Sequence, residues 1–389
     1  MWEEKTIKRS VSIGELAVSL VSITKQLIKY KEMKVLSQKE RTVAANGSEA
    51  EIKSSAYTNS ANKNPTDNSP MECKRHRKSF ASLCPLLFLI GAVMLGGVFY
   101  GCQERKSAMS TSDVDVYVVG VENNTAVLLK NGIKQVLDGG TFAYSVYVSN
   151  DDVYVAGYLV NADSTTVARL WKNGVLQTLE DAEGTQSHSV CVANNNDVYV
   201  AGFTGTSAIL WKNGIRQTLE TGQDYYTESV YVYENDVYVA GTGNGQAILW
   251  KNGTSQILND GYGAGSVYVN SDDIYVAGSG YESAILWKNN SKQTLEDSSK
   301  CGYAVYVMND DVYVTGSGRE GAILWKNGTK QTLEGGDKEG DYAYSIYGFD
   351  NDVYVTGWTQ ENGAVLWKNG IKQVLTDVDY VAGVFVVSH

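Results

Sequence analysis

Residues 229–258 read SVYVYENDVYVAGTGNGQAILWKNGTSQIL, and the reading of this stretch decides the fold. Four short apolar pieces alternate with turn residues. Ser229–Val232 and Asp236–Gly241 flank a short Asn/Asp turn and read as a hairpin. Ala247–Trp250 is apolar at every position, Lys-Asn-Gly follows, and a short piece carrying Gln256 and Leu258 ends the unit. Asn-Gly between apolar runs is the strongest short hairpin signal, because a type I′ turn needs positive φ at both central residues. A half-solvated strand would alternate apolar and polar residues, so the unbroken Ala-Ile-Leu-Trp must be covered on both faces. The unit is therefore four antiparallel strands, A to D. C is doubly buried, and D, with Lys372, Gln373 and their counterparts, is polar as an outer edge should be.

The unit recurs along the chain. Trp of Trp-Lys-Asn-Gly stands at 171, 211, 250, 287, 325 and 367, with Leu129 in its place in the first copy, at steps of 42, 40, 39, 37, 38 and 42 residues. That is seven copies at the length of a four-stranded propeller blade. Strand A opens with a small residue in each (Ser145, Ser189, Ser229, Ser266, Ala304, Ser345, Gly383), which suits a crowded central channel. The first copy starts at strand B and the last ends on an extra strand A, Gly383–Val387. The prediction is an all-β, seven-bladed β-propeller over 113–389, with 28 strands and a ring closed by its C-terminal strand. The composition agrees: 39 Gly and 26 Tyr against only 3 Pro favour many short strands on tight turns.

These Trp-containing repeats resemble those of bacterial exported and lipoprotein β-propellers, over residues 113 to 387. The Gly-His and Trp-Asp dipeptides of WD40 repeats and the Gly-Gly of kelch repeats are absent. The resemblance implies architecture and an exported setting, but no activity.

The N-terminal part is different. Residues 71–101 open on Met-Glu-Cys-Lys-Arg-His-Arg-Lys and carry no charge from Phe80 to Gly101, the basic and apolar regions of a secretion signal. With Phe99-Tyr100-Gly101-Cys102 the segment resembles a bacterial lipoprotein signal in which Cys102 becomes the lipidated N-terminus; Phe99 and Tyr100 depart from that pattern. At roughly 20 residues the run also suffices to span a bilayer as an uncleaved helix. Both alternatives place the propeller outside the cytoplasm, membrane-anchored in a bacterial cell envelope, at an outer membrane or the cell surface. Residues 102–112 form a polar linker, and 1–70 read as a poorly structured extension or a misassigned start upstream of Met71.

Charge and chemistry narrow the function. Of 33 basic and 44 acidic residues, 15 and 9 lie in the first 101, leaving 18 against 35 afterwards, a balance of −17. That surface repels phosphate backbones and argues against nucleic acid as a partner. Only His188 lies within the repeats apart from the terminal His389, so neither a catalytic triad nor a His-based metal site is easily built. No cofactor or metal is implied, and a monomeric propeller is expected. Tyr and Asp residues present in every copy, and the Trp of six copies, read as packing and turn residues, the Asp opening strand B bonding its own backbone. The A–B and C–D turns are nearly constant; the B–C and D–A loops, on the opposite face, differ in every copy. The candidate ligand contacts lie in these loops: Trp358, Tyr281, Tyr225, Tyr226, Tyr262, Tyr303, His188 and Arg319. Aromatic plates beside carboxylates suit a glycan, and Tyr, Trp and Arg also suit a protein partner. The reading is a binding module using the variable-loop face, with a structural envelope protein and a carboxylate-based hydrolase as alternatives.

Overall fold

The computed structural model describes residues 114–280, 283–295 and 299–388. The expectations for residues 1–70, 71–101 and 102–112, for Cys102 and for Tyr281 fall outside them. The described residues are all-β, in antiparallel sheets. Five sheets have four strands. In the first, the order is Tyr380–Ser388, Val114–Glu122, Thr125–Lys130, Ile133–Val136, so the C-terminal strand supplies the inner strand of the first copy. Its register runs Val386 opposite Val116, Phe385 opposite Tyr117 and Val384 opposite Val118.

One sheet has seven strands, and there are 27 strands instead of 28. The cause is the 19-residue strand Ile215–Tyr233. Its first half is the D strand of one copy and its second half the A strand of the next. Gly205 pairs with Tyr225 across what the sequence predicts to be a D–A loop, which carries the chain straight through without a turn.

The inner strands pack side by side in a closed cycle. Tyr380–Ser388 meets Phe142–Ser149, followed by Gln186–Val192, the second half of Ile215–Tyr233, Gly263–Asn270, Ser299–Met308 and Tyr342–Phe349, which returns to Tyr380–Ser388. Between neighbouring sheets lie the apolar clusters that hold the domain. Each of Trp171, Trp211, Trp250, Trp287, Trp325 and Trp367 is fully buried, as the doubly covered strand C requires. The indole N–H of Trp171, Trp211, Trp287 and Trp367 donates to a backbone carbonyl of the preceding copy, at Asp138, Glu180, Asn259 and Glu334 respectively. The outer strands are exposed, but less uniformly polar than predicted. Ile133, Val175, Ile215 and Ile371 open four of them and are each more than 60% exposed.

The constant face is built from one clamp repeated in all seven copies. The Asn of Lys-Asn-Gly has φ near +50° and the Gly after it near +80°, the type I′ geometry; Asn290 takes the Gly position once, at +65°. That Asn accepts from the backbone N–H after the Asp that opens strand B and donates to the carboxylate of that Asp, as at Asn213 and Asp197 (2.7 Å). The preceding Lys pairs with the same carboxylate, Lys212 at 2.8 Å and Lys326 with Asp311 at 2.6 Å, while its ammonium lies over the Tyr of strand B at 5.2–5.3 Å. These Asp residues were expected to bond their own backbone. They instead tie the two turns of a copy together, because the sheet brings the start of B beside the end of C.

The clamp lowers the Asp pKa values. Asp197 is pushed down to about 2, first by Lys212 and then by Asn213 and Asn195, and Asp152, Asp236, Asp273, Asp311 and Asp352 shift the same way, each first through its Lys. A carboxylate held below its unfolded value of about 3.9 stabilises the fold fully above that value and loses the contribution as pH falls. Each exposed pair is weak alone, and only the repetition gives a measurable sum. The melting temperature should therefore hold from neutral pH to about 5 and drop as pH falls from about 4 to about 2. A flat profile across that window in thermal melts would mean the clamps contribute nothing.

Candidate functional site

The site begins with the Gly that ends Val-Tyr-Val-Ala-Gly or its equivalent on strand B. A Cβ on Gly157 would lie 2.0 Å from the carbonyl oxygen of Phe142, and on Gly357 2.0 Å from that of Tyr342. Gly120, Gly202, Gly241, Gly278 and Gly316 are hemmed in the same way. This close approach accompanies a register shift in each inner strand, at Ala143/Ser145, Ser187/Ser189, Thr227/Ser229, Ala264/Ser266, Gly302/Ala304 and Ala343/Ser345, and opposite Val119/Gly120 in the closing strand. Each shift leaves one extra residue just above the small residue of strand A, and bulges of this kind re-aim side chains. The seven extra residues are Tyr144, His188, Glu228, Gly265, Tyr303, Tyr344 and Ala382. Five residue types occupy these seven equivalent positions, Tyr three times, and all seven residues line one cavity of about 480 Å³ at the variable-loop end of the channel.

Below the cavity the channel is floored by the third residue after each bulge. Tyr231, Tyr268, Tyr306, Tyr347, Phe385 and Tyr147 follow one another with ring centroids 4.4–5.1 Å apart. Cys191 completes the floor between Tyr147 and Tyr231. Burial raises the Cys191 thiol to about 11 and the Tyr347 hydroxyl to about 12, so both stay protonated near neutral pH.

One side of the cavity is polar and aromatic. His188 Nδ1 lies 3.0 Å from Glu228 Oε2, and since a carboxylate only accepts, Nδ1 carries the proton. The imidazole stacks on Tyr144 at 4.5 Å and meets Phe203 edge-on at 4.8 Å, with Nε2 buried and without a hydrogen-bond partner. Tyr344 and Tyr380 stand 5.1 Å apart on the same rim, and Tyr303 donates to or accepts from Ser317 at 2.8 Å. Desolvation raises the hydroxyls of Tyr144, Tyr303, Tyr344 and Tyr380, which remain neutral donors and acceptors. The other side is small: Gly263, Ala264, Gly265, Ser266, Ser279 and Gly302.

Of the contacts predicted from the sequence, the cavity brings together His188 and Tyr303. Tyr262 is 55% exposed, Arg319 is exposed and Trp358 is half-buried, and none of these three lines the cavity. Tyr226 is half-buried against the edge of Phe203. Tyr225 is a correction. At 2% exposure it is a core residue, packed over Gly243 and Gly222 with its hydroxyl bonded to Asn244, because the continuous strand turns its ring inward. Sequence reasoning missed Tyr144, Glu228, Tyr344 and Tyr380. For the first three the available signal was their place before the small opener of strand A, a position that changes among the copies.

Among the described residues Glu228 is the single carboxylate lining the cavity, so the pair that a glycosidase-like hydrolysis requires is not assembled there. Nor do the described residues group three or more His, Cys, Asp or Glu as metal ligands.

No protein-family model matches the chain, and no curated protein matches it. Solved structures similar to it include β-propellers. The WD40 β-propeller domain of Doa1 matches at 15% identity and TM-score 0.43, over 64% of this chain and 82% of that one. Virginiamycin B lyase from Staphylococcus aureus matches at 12% identity and TM-score 0.44, over 67% and 87%. The computationally designed Ika8 protein matches at 15% identity and TM-score 0.42, over 69% and 88%.

Proposed function

We propose that this chain is a seven-bladed β-propeller, anchored in a bacterial cell envelope through Cys102 or an N-terminal helix, that binds a glycan in the cavity at the variable-loop end of its channel. The observation carrying the reading is that seven bulges, one per repeat, stand over one concave space with an aromatic floor and carry five residue types at equivalent positions. A repeat protein maintains such differences at equivalent positions where a ligand reads them, since packing needs are the same in every repeat. A cavity of about 480 Å³ falls within the range of small-ligand sites. Tyrosine rings with neutral hydroxyls beside serines offer a sugar both an apolar plate and hydrogen bonds. The cycle of seven inner strands supports the blade count, and the uncharged run before Cys102 supports the anchor.

A glycan array followed by calorimetry on hits tests the function. Tyr344→Ala should weaken binding by about 1–3 kcal/mol, as for an interface hot spot. Lys326→Ala, on the constant face, should leave it intact. Equal losses from both variants would remove the cavity as the binding site.

A further inference from the structure

We propose that the glycan is cationic: an amino sugar whose ammonium group pairs with Glu228. The inference rests on the reading of the cavity as a glycan site and adds the charge of the ligand.

Charge in the cavity is one-sided. Among the described residues lining it there is no Lys or Arg, and Glu228 is the one carboxylate. His188 occupies Oε2 from one side, and the Glu228 side chain, on the cavity lining, remains 41% exposed. Wedged between Tyr144 and Phe203, the imidazole presents Nδ1 to Glu228 and acts as a positioning residue for the carboxylate. Around this carboxylate stand Tyr144 and Tyr380, whose hydroxyls are raised first by burial and in part by the negative charge of Glu228. An ammonium in such a mouth gains a charge-assisted hydrogen bond to the carboxylate and attraction to tyrosine rings. An acidic sugar would bring its negative charge against Glu228 with no Lys or Arg among the described lining residues to offset it. The balance of −17 after Gly101 extends the same preference outward and steers cations toward the domain.

The opposite wall gives the ring of the sugar room. Gly263, Gly265 and Gly302 present bare backbone to the cavity, and Ser266 and Ser279 supply short hydroxyls to the hydroxyl groups of the sugar. A ligand with one ammonium and several hydroxyls satisfies both walls, whereas a purely apolar amine would leave the serines unpaired.

Calorimetry on the full-length protein with tetraglucosamine, its N-acetylated counterpart and tetralysine separates the possibilities. Tetraglucosamine is expected to bind about tenfold or more tightly than the acetylated form, the scale of one hydrogen bond to a charged group. Glu228→Gln should abolish that preference, because the amide still accepts from His188 but carries no charge. Should the variant fold poorly, the wild type answers alone: added salt should weaken tetraglucosamine and leave the acetylated sugar unchanged. Equal affinity for the two sugars overturns the cationic inference and leaves the glycan reading standing. Tetralysine binding as tightly as tetraglucosamine overturns the assignment to a sugar, and an array with no glycan bound at all overturns the reading on which the inference rests.

Discussion

Truncation after Val381 is expected to yield a chain that does not fold. The lost residues include Ala382, Val384, Phe385 and Val386, all buried, and the inner strand of the sheet that begins at Val114. Val384, Phe385 and Val386 at about 1.5–3 kcal/mol each contribute on the order of 5–9 kcal/mol, an upper figure. A whole domain is stable by about 5–15 kcal/mol. The loss also opens the first strand along one edge and takes Phe385 out of the channel floor, where it bridges Tyr147 and Tyr347 at 4.8 and 4.4 Å. Circular dichroism and thermal melts check this. A truncated protein that melts like the full chain would refute closure as the source of stability.

Cys102→Ser is the second change with a large expected effect. If the Phe99-Tyr100-Gly101-Cys102 segment is processed as its resemblance to a lipoprotein signal implies, the wild type should incorporate labelled fatty acid. The variant should appear as a released domain or an uncleaved precursor. An uncleaved helix would be indifferent to the substitution, so unchanged membrane fractionation of the variant, with no label in the wild type, would assign the anchor to the apolar run itself.

The fold was largely legible because its determinants are local and repeated. Asn-Gly turns, the unbroken apolar strand C and the orphan strand at the C-terminal end each follow from short-range chemistry, and the strand pairing agrees with them. What escaped was long-range register. Tyr225 reads as a loop aromatic because nothing local reveals that Gly205 pairs with it and draws the loop into a strand. The bulges are likewise invisible to a one-strand reading, since a bulge is a mismatch between two strands. The Gly of strand B that permits them reads simply as a strand end. Hence Glu228 and Tyr344, which stand at bulges, were passed over in favour of Trp358 and Arg319, which loop composition advertised.

The position of Leu129 has a mechanical meaning. At the other six sheet-to-sheet contacts an indole stands in the equivalent position, whereas between the last and first copies Leu129 stands beside a cleft of about 160 Å³ walled by Val116, Val118, Tyr354, Leu366 and Leu375. That is also the contact made by the two ends of the array, the one assembled last if the repeats form in chain order. Void volume vanishes when a structure opens, so hydrostatic pressure acts most strongly where packing is incomplete. The ring thus has a seam, where its two ends meet over a void on which compression would act.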